Sequence, residues 1–388
     1  MNNIIIIDTE PFSLIRKRNF FVEEFLSRGY NVKHYSLTNF ISPPNAVHYT
    51  NTTKSELAFY LDTKKEIKKM LRSIDASNTF VFVELHFNRN TYFIFKYLYN
   101  LKLIWGRLSY YTNPAVNLYK RNTIQTIQRV KRYKSISYVK FALFVKLFSK
   151  RINKITQSHI TFKTGQNDSN FPKSKKMITI NYFDLEEYNL RKNEPAILEK
   201  DYIVFNDIYL PFHPDLQARN KGSEFINPTN YFKELNHFFD KIEKQYGFEV
   251  VIAAHPKANY STEFGSRKVI AGQTLNLIKH CKLLITHLSI SIDYALFSHK
   301  PVLFFHTPSL FKSSALQYMI DYMDIYATKI HTLVMNSESS NLPPLNNLEV
   351  DKTSYDEIVK NYFGELGSDK TNFEIVQNEI DSLLNSQI

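Results

Sequence analysis

One cysteine, Cys281, serves the whole chain of 388 residues, so a disulfide framework and a cysteine-based metal site are both excluded. Cys281 itself reads as a small buried apolar residue at the entrance to a strand. Glycine is scarce, at 9 residues, and no internal repeat is visible, which argues against a flexible or repetitive architecture. No window holds the roughly 18 uninterrupted apolar residues that a membrane-spanning helix needs. The opening Ile4-Ile5-Ile6-Ile7-Asp8 is too short an apolar run, without a basic start, to be a signal peptide, and it predicts a strand. The expected compartment is the cytoplasm. No Asp-x-Asp pattern follows a strand and no His/Asp cluster has metal spacing, so the expectation is metal-independent chemistry without a cofactor.

The most informative absence is that of acids. Between Glu84 and Asp168 there is no Asp or Glu, while residues 85–167 carry 16 of the 49 Lys and Arg. The other 33 basic residues face all 37 acidic ones, so this one stretch makes the chain basic, at a formal charge of +12. It runs through Lys120-Arg121, Arg129, Lys131, Arg132, Lys134, Lys140, Lys146, Lys150, Arg151 and Lys154, interleaved with Tyr133, Tyr138, Phe141, Phe144 and Phe148. That pattern predicts a basic amphipathic helix, suited to an anionic membrane surface or a polyanionic acceptor. A helix packed on its own domain with a solvated basic rim is the plain alternative. Nucleic acid is not expected, because no RNA- or DNA-binding motif accompanies the stretch.

What is present is ordinary globular chemistry, with 43% hydrophobic and 22% charged residues, in a length that suits two domains. In the first half, strands are expected at Ile4–Asp8, Val32–Tyr35, Thr79–Leu85, Leu103–Trp105, Thr161–Thr164 and Met177–Ile180. Helices are expected at Arg16–Arg28, Thr63–Ile74 and Asn90–Leu101. A charged connector, Arg191–Lys200, separates the halves. In the second half the expected strands are Tyr202–Asn206, Phe248–Ala253, Leu283–Thr286 and Pro301–Phe305. The expected helices are Asn227–Gln245, Gln273–His280, Ser289–Phe297, Tyr355–Phe363 and Asn372–Leu384. Such alternation predicts an α/β fold of two Rossmann-like domains facing a cleft, over residues 1–185 and 200–350, with C-terminal helices over 351–388.

Ligands in open α/β sheets bind beyond the carboxyl ends of the strands. Three clusters follow strands in the second half. Asn206-Asp207-Ile208-Tyr209-Leu210-Pro211-Phe212-His213-Pro214-Asp215 packs two acids, Tyr209 and His213 into one loop. His255-Pro256-Lys257, with Arg267 further on, supplies groups able to meet a phosphate. Thr286-His287-Leu288-Ser289-Ile290-Ser291 leads a strand into a helix through hydroxyls, a natural phosphate cradle. Each has a plain structural reading as a turn or cap. In the first half, Asp8 and Glu10 end the first strand, and Glu84 and His86 end the Thr79–Leu85 strand.

The run His255-Pro256, Thr286-His287-Leu288-Ser289-Ile290-Ser291 and Lys300-Pro301-Val302 resembles bacterial surface-polysaccharide glycosyltransferases of GT-B type, over roughly residues 200–310. These include polysialyltransferases and capsule transferases that use CMP-activated keto-sugar acids. The resemblance implies a nucleotide-sugar donor, CMP-linked by preference, whose phosphate meets His255 and Ser289 or Ser291, with Lys257 or Arg267 assisting. It also implies a glycan or lipid-linked acceptor, deprotonated by a carboxylate. Glu84 is placed first for that role, then Asp8, Glu10 and His86, with Asp207 the candidate from the second half. Other readings are a CDP-glycerol-type polyol-phosphate transferase, an epimerase of the same fold and a non-enzymatic polyanion-binding protein. The implied location is cytoplasmic, or peripheral on the inner membrane face.

Overall fold

A computed structural model describes residues 2–41, 54–110, 136–166, 174–213, 216–217, 225–368 and 370–386. The chain divides into two compact units. Tyr182–Gly367 belong to the second, while the described residues through Asn181, together with the last helix, form the first. The final helix therefore returns to the first unit, and the turn before it, through Gly367, stays with the second.

The first unit is built on a seven-stranded sheet. Its strands are β1 (Asn3–Asp8), β2 (Asn31–Ser36), β3 (Ala58–Tyr60), β4 (Thr79–Glu84), β5 (Ile104–Ser109), β6 (Ser158–Thr164) and β7 (Ser174–Ile180). All pairings are parallel, in the spatial order β3-β2-β1-β4-β5-β6-β7. The central strands are buried on both faces, which is why they read as continuous apolar runs. Ile4 and Ile6 of β1, with Phe80 and Phe82 of β4, enter one core; Ile5, Ile7, Val81 and Val83 enter the other.

The final helix, Asn372–Asn385, lays Phe373, Val376, Ile380 and Leu384 into the first of these cores. Those positions fall on one helical face, and burying each side chain stabilises by about 1.5–3 kcal/mol. A capping box between Thr371 and Glu374 starts the helix.

Where one helix over Arg16–Arg28 is expected, two short ones form, Leu14–Asn19 and Val22–Ser27. The break is Phe21, whose φ of 53° lies in the left-handed region. It lets two adjacent aromatic rings enter the same core: Phe20 packs on Phe82 and Phe21 on Phe373. The predicted basic helix is likewise two pieces in its described part, Ile136–Leu147 and Ser149–Thr156. The second buries Ile152 and Ile155, as an amphipathic helix should, whereas in the first apolar residues occur all round. Lys120, Arg121, Arg129, Lys131, Arg132, Tyr133 and Lys134 lie outside the described residues.

The second unit repeats the plan. Its six strands are β8 (Tyr202–Asn206), β9 (Glu249–Ala254), β10 (Val269–Ala271), β11 (Leu283–Thr286), β12 (Val302–His306) and β13 (Val334–Asn336). They are again all parallel, ordered β10-β9-β8-β11-β12-β13. The helix Pro228–Tyr246 covers one face with Tyr231, Leu235, Phe238, Phe239 and Ile242. The expected helix over Ser289–Phe297 is a single tight turn, Ile290–Ile292, running into a short α-helix, Asp293–Phe297. Among the described residues, no helix is long and apolar enough to cross a membrane.

Candidate functional sites at the two switch points

Both sheets begin in the middle and build outward in two directions, the order 3-2-1-4-5-6 of a doubly wound nucleotide-binding sheet. In such a sheet the connections diverge between the first and fourth strands, and the opening left at their carboxyl ends is where ligands bind. In the first unit that point lies between β1 and β4; in the second, between β8 and β11. The fold thus gives each strand-end residue a rank by its distance from a switch point.

In the first unit, Asp8 and Glu84 are opposite each other in the β1–β4 register. Asp8 is 0% exposed. One carboxylate oxygen accepts the backbone N–H of Glu10 at 3.0 Å; the other faces Arg16 Nε at 3.2 Å and His34 Nε2 at 3.4 Å. Arg16 also clasps Glu10, at 2.7 Å and 2.9 Å. Asp8 is therefore committed to an ion-paired knot.

Glu84 differs. The residue keeps part of its surface in solvent while its carboxyl lies deep in the fold, where Oε1 accepts the N–H of Leu108 at 2.8 Å. Burial above all, with the Asp8 charge adding, pushes its carboxyl up to about 8, against the opposing pull of the Leu108 N–H, Arg107 and Arg16. A carboxyl in that range exchanges its proton near neutral pH. His86 is exposed beyond the strand, and its carbonyl accepts Thr91 Oγ1 at 2.6 Å. The structure brings Asp8, Glu10 and Glu84 around Arg16. Arg16, His34 and Arg107 are site residues that strand-end reasoning does not find, because each reaches the knot from a different element. Arg107 Nε and His34 Nδ1 are buried without a hydrogen-bond partner.

In the second unit, Asp207 follows β8 directly and is 3% exposed. One oxygen accepts the N–H of Tyr209 at 2.8 Å; the other accepts the N–H of His255 at 3.2 Å and the hydroxyl of Tyr260 at 2.7 Å. The loops after β8 and β9 are thereby brought together. The rings of Tyr209 and His255 are nearly parallel, 13° apart with centroids at 6.2 Å, and His213 approaches His255 at 5.3 Å. Lys257 and Pro256 are exposed, and the N–H of Lys257 donates to His255 Nδ1 at 3.2 Å. Ser289 caps the next loop, accepting the N–H of Ser291 at 3.3 Å, and both serines are partly exposed. Asp215 lies outside the described residues.

Three of the expected donor contacts are bonded within the second unit itself. His287 is 0% exposed, one ring nitrogen bonded to Phe305 O at 2.7 Å and the other to the Tyr231 hydroxyl at 2.9 Å. Burial lowers its pKa to about 4, so it is a neutral strut between β11, β12 and the helix Pro228–Tyr246. Thr286 is equally buried, its hydroxyl on Asn206 O at 3.2 Å. Arg267 is held by Glu243 at 2.6 Å and 3.0 Å, by Asn236 at 2.9 Å and by Asp240. Its guanidinium is spent on that helix. His306, at the end of β12, is a residue the sequence did not single out. Its Nδ1 is buried without a partner, and its ring stacks at 5.0 Å on the exposed Phe311.

The two all-parallel sheets define two Rossmann-like domains, with polar strand ends gathered at both switch points. No protein-family model and no curated protein matches the chain. Among solved structures it is similar to MurG of Acinetobacter baumannii at 7% identity and a TM-score of 0.47, over 98% of this chain and 100% of that one. It is similar to UGT89C1 of Arabidopsis thaliana complexed with UDP at 10% identity and a TM-score of 0.46, over 99% and 100%. It is similar to the UDP-GlcNAc 2-epimerase of Methanocaldococcus jannaschii at 13% identity and a TM-score of 0.44, over 98% and 99%.

Proposed function

We propose that the chain is a GT-B-type glycosyltransferase that moves a sugar from a nucleotide-linked donor to a glycan acceptor. The observation that carries this reading is the pair of switch points, one holding an acid poised to exchange a proton, the other a His-Lys-Ser set suited to a phosphate. The finer reading makes the donor a CMP-linked nonulosonic or Kdo-like acid. The second unit recognises it, with His255, Lys257 and the Ser289/Ser291 turn on its phosphate. An acceptor hydroxyl attacks the anomeric carbon as the bond from that carbon to the phosphate oxygen breaks. Glu84 takes the hydroxyl proton, and CMP leaves with the electron pair, its charge met by protein donors. A single displacement inverts the anomeric centre. Protein cations supply the charge stabilisation, so chelator leaves the rate unchanged.

The acceptor is a surface-polysaccharide or lipid-linked glycan. The exposed Lys140, Lys146, Lys150 and Arg151, beside the exposed Leu143, Leu147 and Phe148, support a seat on an anionic membrane face. The same patch supports a second reading, polyanion binding without catalysis.

The test is a thermal-shift panel with CMP, CDP, UDP and GDP on the unaltered chain and on His255→Ala. Ligand at about 100 times its Kd stabilises by about 2.7 kcal/mol, enough to read as a shift in Tm. CMP is expected to stabilise the unaltered chain and not the variant. A shift with UDP or GDP alone changes the donor class; no shift with any nucleotide removes the transferase reading.

A further inference from the structure

Asp207 combines features that a base for the reaction would not. Its carboxylate is buried and receives donors from both strand-end loops: Tyr209 N–H from the loop after β8, and His255 N–H and Tyr260 Oη–H from the loop after β9. Burying a charge is costly unless it is well bonded, so an acid in this place needs a reason. Burial also raises its pKa in spite of these donors. The loop it holds is strained: Tyr209 sits at a φ of 53°, a region that non-glycine residues occupy only when their surroundings impose it. The Tyr209 ring of this loop lies nearly parallel to that of His255. On the other loop, the Lys257 N–H donates to His255 Nδ1, so the uncharged ring carries its proton on Nε2.

We propose that Asp207 is a positioning residue, whose carboxylate latches the loops after β8 and β9 together and so holds Tyr209 and His255 in the arrangement that receives the donor nucleotide. This rests on the donor-binding reading of the second unit. An amide at this place keeps the shape and has one acceptor oxygen where the carboxylate has two. Its one oxygen can accept the backbone N–H of Tyr209 or that of His255, but the NH2 group that replaces the second oxygen faces the other N–H as a donor against a donor. An amide also removes a buried charge, which offsets the lost hydrogen bonds in the stability of the ligand-free protein.

The experiment is calorimetric titration with CMP, alongside the ligand-free Tm, on the full chain and on Asp207→Asn and Tyr260→Phe. Asp207→Asn is expected to keep its Tm within about 4 °C and to weaken CMP binding about 10- to 100-fold. Tyr260→Phe removes one of the donors and is expected to weaken binding by a smaller factor. It carries the test if the first variant does not fold. Nitrogen NMR of the His255 ring in ligand-free protein is expected to show the Nε2–H tautomer in the unaltered chain and a tautomer mixture in Asp207→Asn, where the released loop no longer holds the Lys257 N–H against Nδ1; at an unchanged Tm this separates the latch from general destabilisation. Binding that survives both variants overturns the latch and leaves the donor reading standing. So does binding that falls only in proportion to Tm. No CMP binding by the unaltered chain overturns the donor reading, and this inference with it.

Discussion

A carboxyl group that is to collect a proton from a sugar hydroxyl near neutral pH must hold it neither too loosely nor too tightly. Glu84 and Asp8 are neighbours across one register, yet their surroundings separate them. Asp8 has Arg16 and His34 against it and no access to solvent, whereas Glu84 is partly open, loses hydration and feels the Asp8 charge. Glu84→Gln is therefore expected to lower kcat about 10²- to 10⁴-fold. The rate of the unaltered chain should climb with pH to a plateau above about 8, as the base form fills, and the variant should lose that limb. Stability carries the opposite sign. A carboxyl whose pKa is raised on folding binds its proton more tightly in the folded state. Its contribution is complete below the ordinary Glu range and is lost as pH rises to about 8. Urea midpoints measured across that window should fall with pH for the unaltered chain and be flatter for Glu84→Gln. A pH–rate limb that persists in the variant would assign the base elsewhere.

At the scale of elements, the central strands were legible because a strand buried on both faces must be a run such as Thr79–Glu84 or Tyr202–Asn206, which has no other reading in an α/β chain. Of the four edge strands in the described sheets, β3, β10 and β13 were not. Each is three residues long, too short for periodicity to register, and each leaves residues in solvent. The break at Phe21 was hidden for another reason, since its cause is the distant Phe373, which comes from the last helix. The candidate sites divide the same way. Asp8, Glu84, Asp207 and His255 follow apolar runs and were visible as strand ends, while the partners that give them their chemistry come from elsewhere in the sequence. Gly106 marks a constraint that no pattern announces. A Cβ there would stand 2.7 Å from Ile160 Cγ2 and from Phe80 Cζ, and 3.0 Å from Ile160 O. Those neighbours lie in β4 and β6, on either side of β5, and a backbone oxygen cannot rotate away. Gly106→Ala is expected to destabilise by about 1–3 kcal/mol, in the manner of an overpacked core, read as a lower urea midpoint at unchanged slope.

At the scale of the whole molecule, charge is separated more completely than the fold requires. The net +12 comes from an acid-free stretch, and the rest of the chain is close to neutral. In the described part of that stretch, Ile152 and Ile155 fix the helix Ser149–Thr156 to the first unit. The helix before it, Ile136–Leu147, and the joining Phe148 leave Leu143 at 54%, Leu147 at 77% and Phe148 at 48% exposed, among the exposed Lys140, Lys146, Lys150 and Arg151. A bilayer with anionic headgroups satisfies both features at once. Each cation near such a surface adds about 1 kcal/mol, and the attraction decays within a Debye length of about 8–10 Å at ordinary salt. Co-sedimentation with vesicles containing phosphatidylglycerol is therefore expected, with little binding to vesicles of phosphatidylcholine alone. Changing Lys140, Lys146, Lys150 and Arg151 to Gln should weaken it by several orders of magnitude on that per-cation figure. Changing Leu143, Leu147 and Phe148 to Ser should leave a weaker attraction that about 1 M salt removes, because at that strength the Debye length is about 3 Å. Equal binding to neutral vesicles would make the patch an apolar anchor and the charge incidental. Tight, salt-sensitive binding to an oligonucleotide with none to vesicles would return the stretch to the polyanion reading, and the acceptor would then be sought among charged glycans in solution.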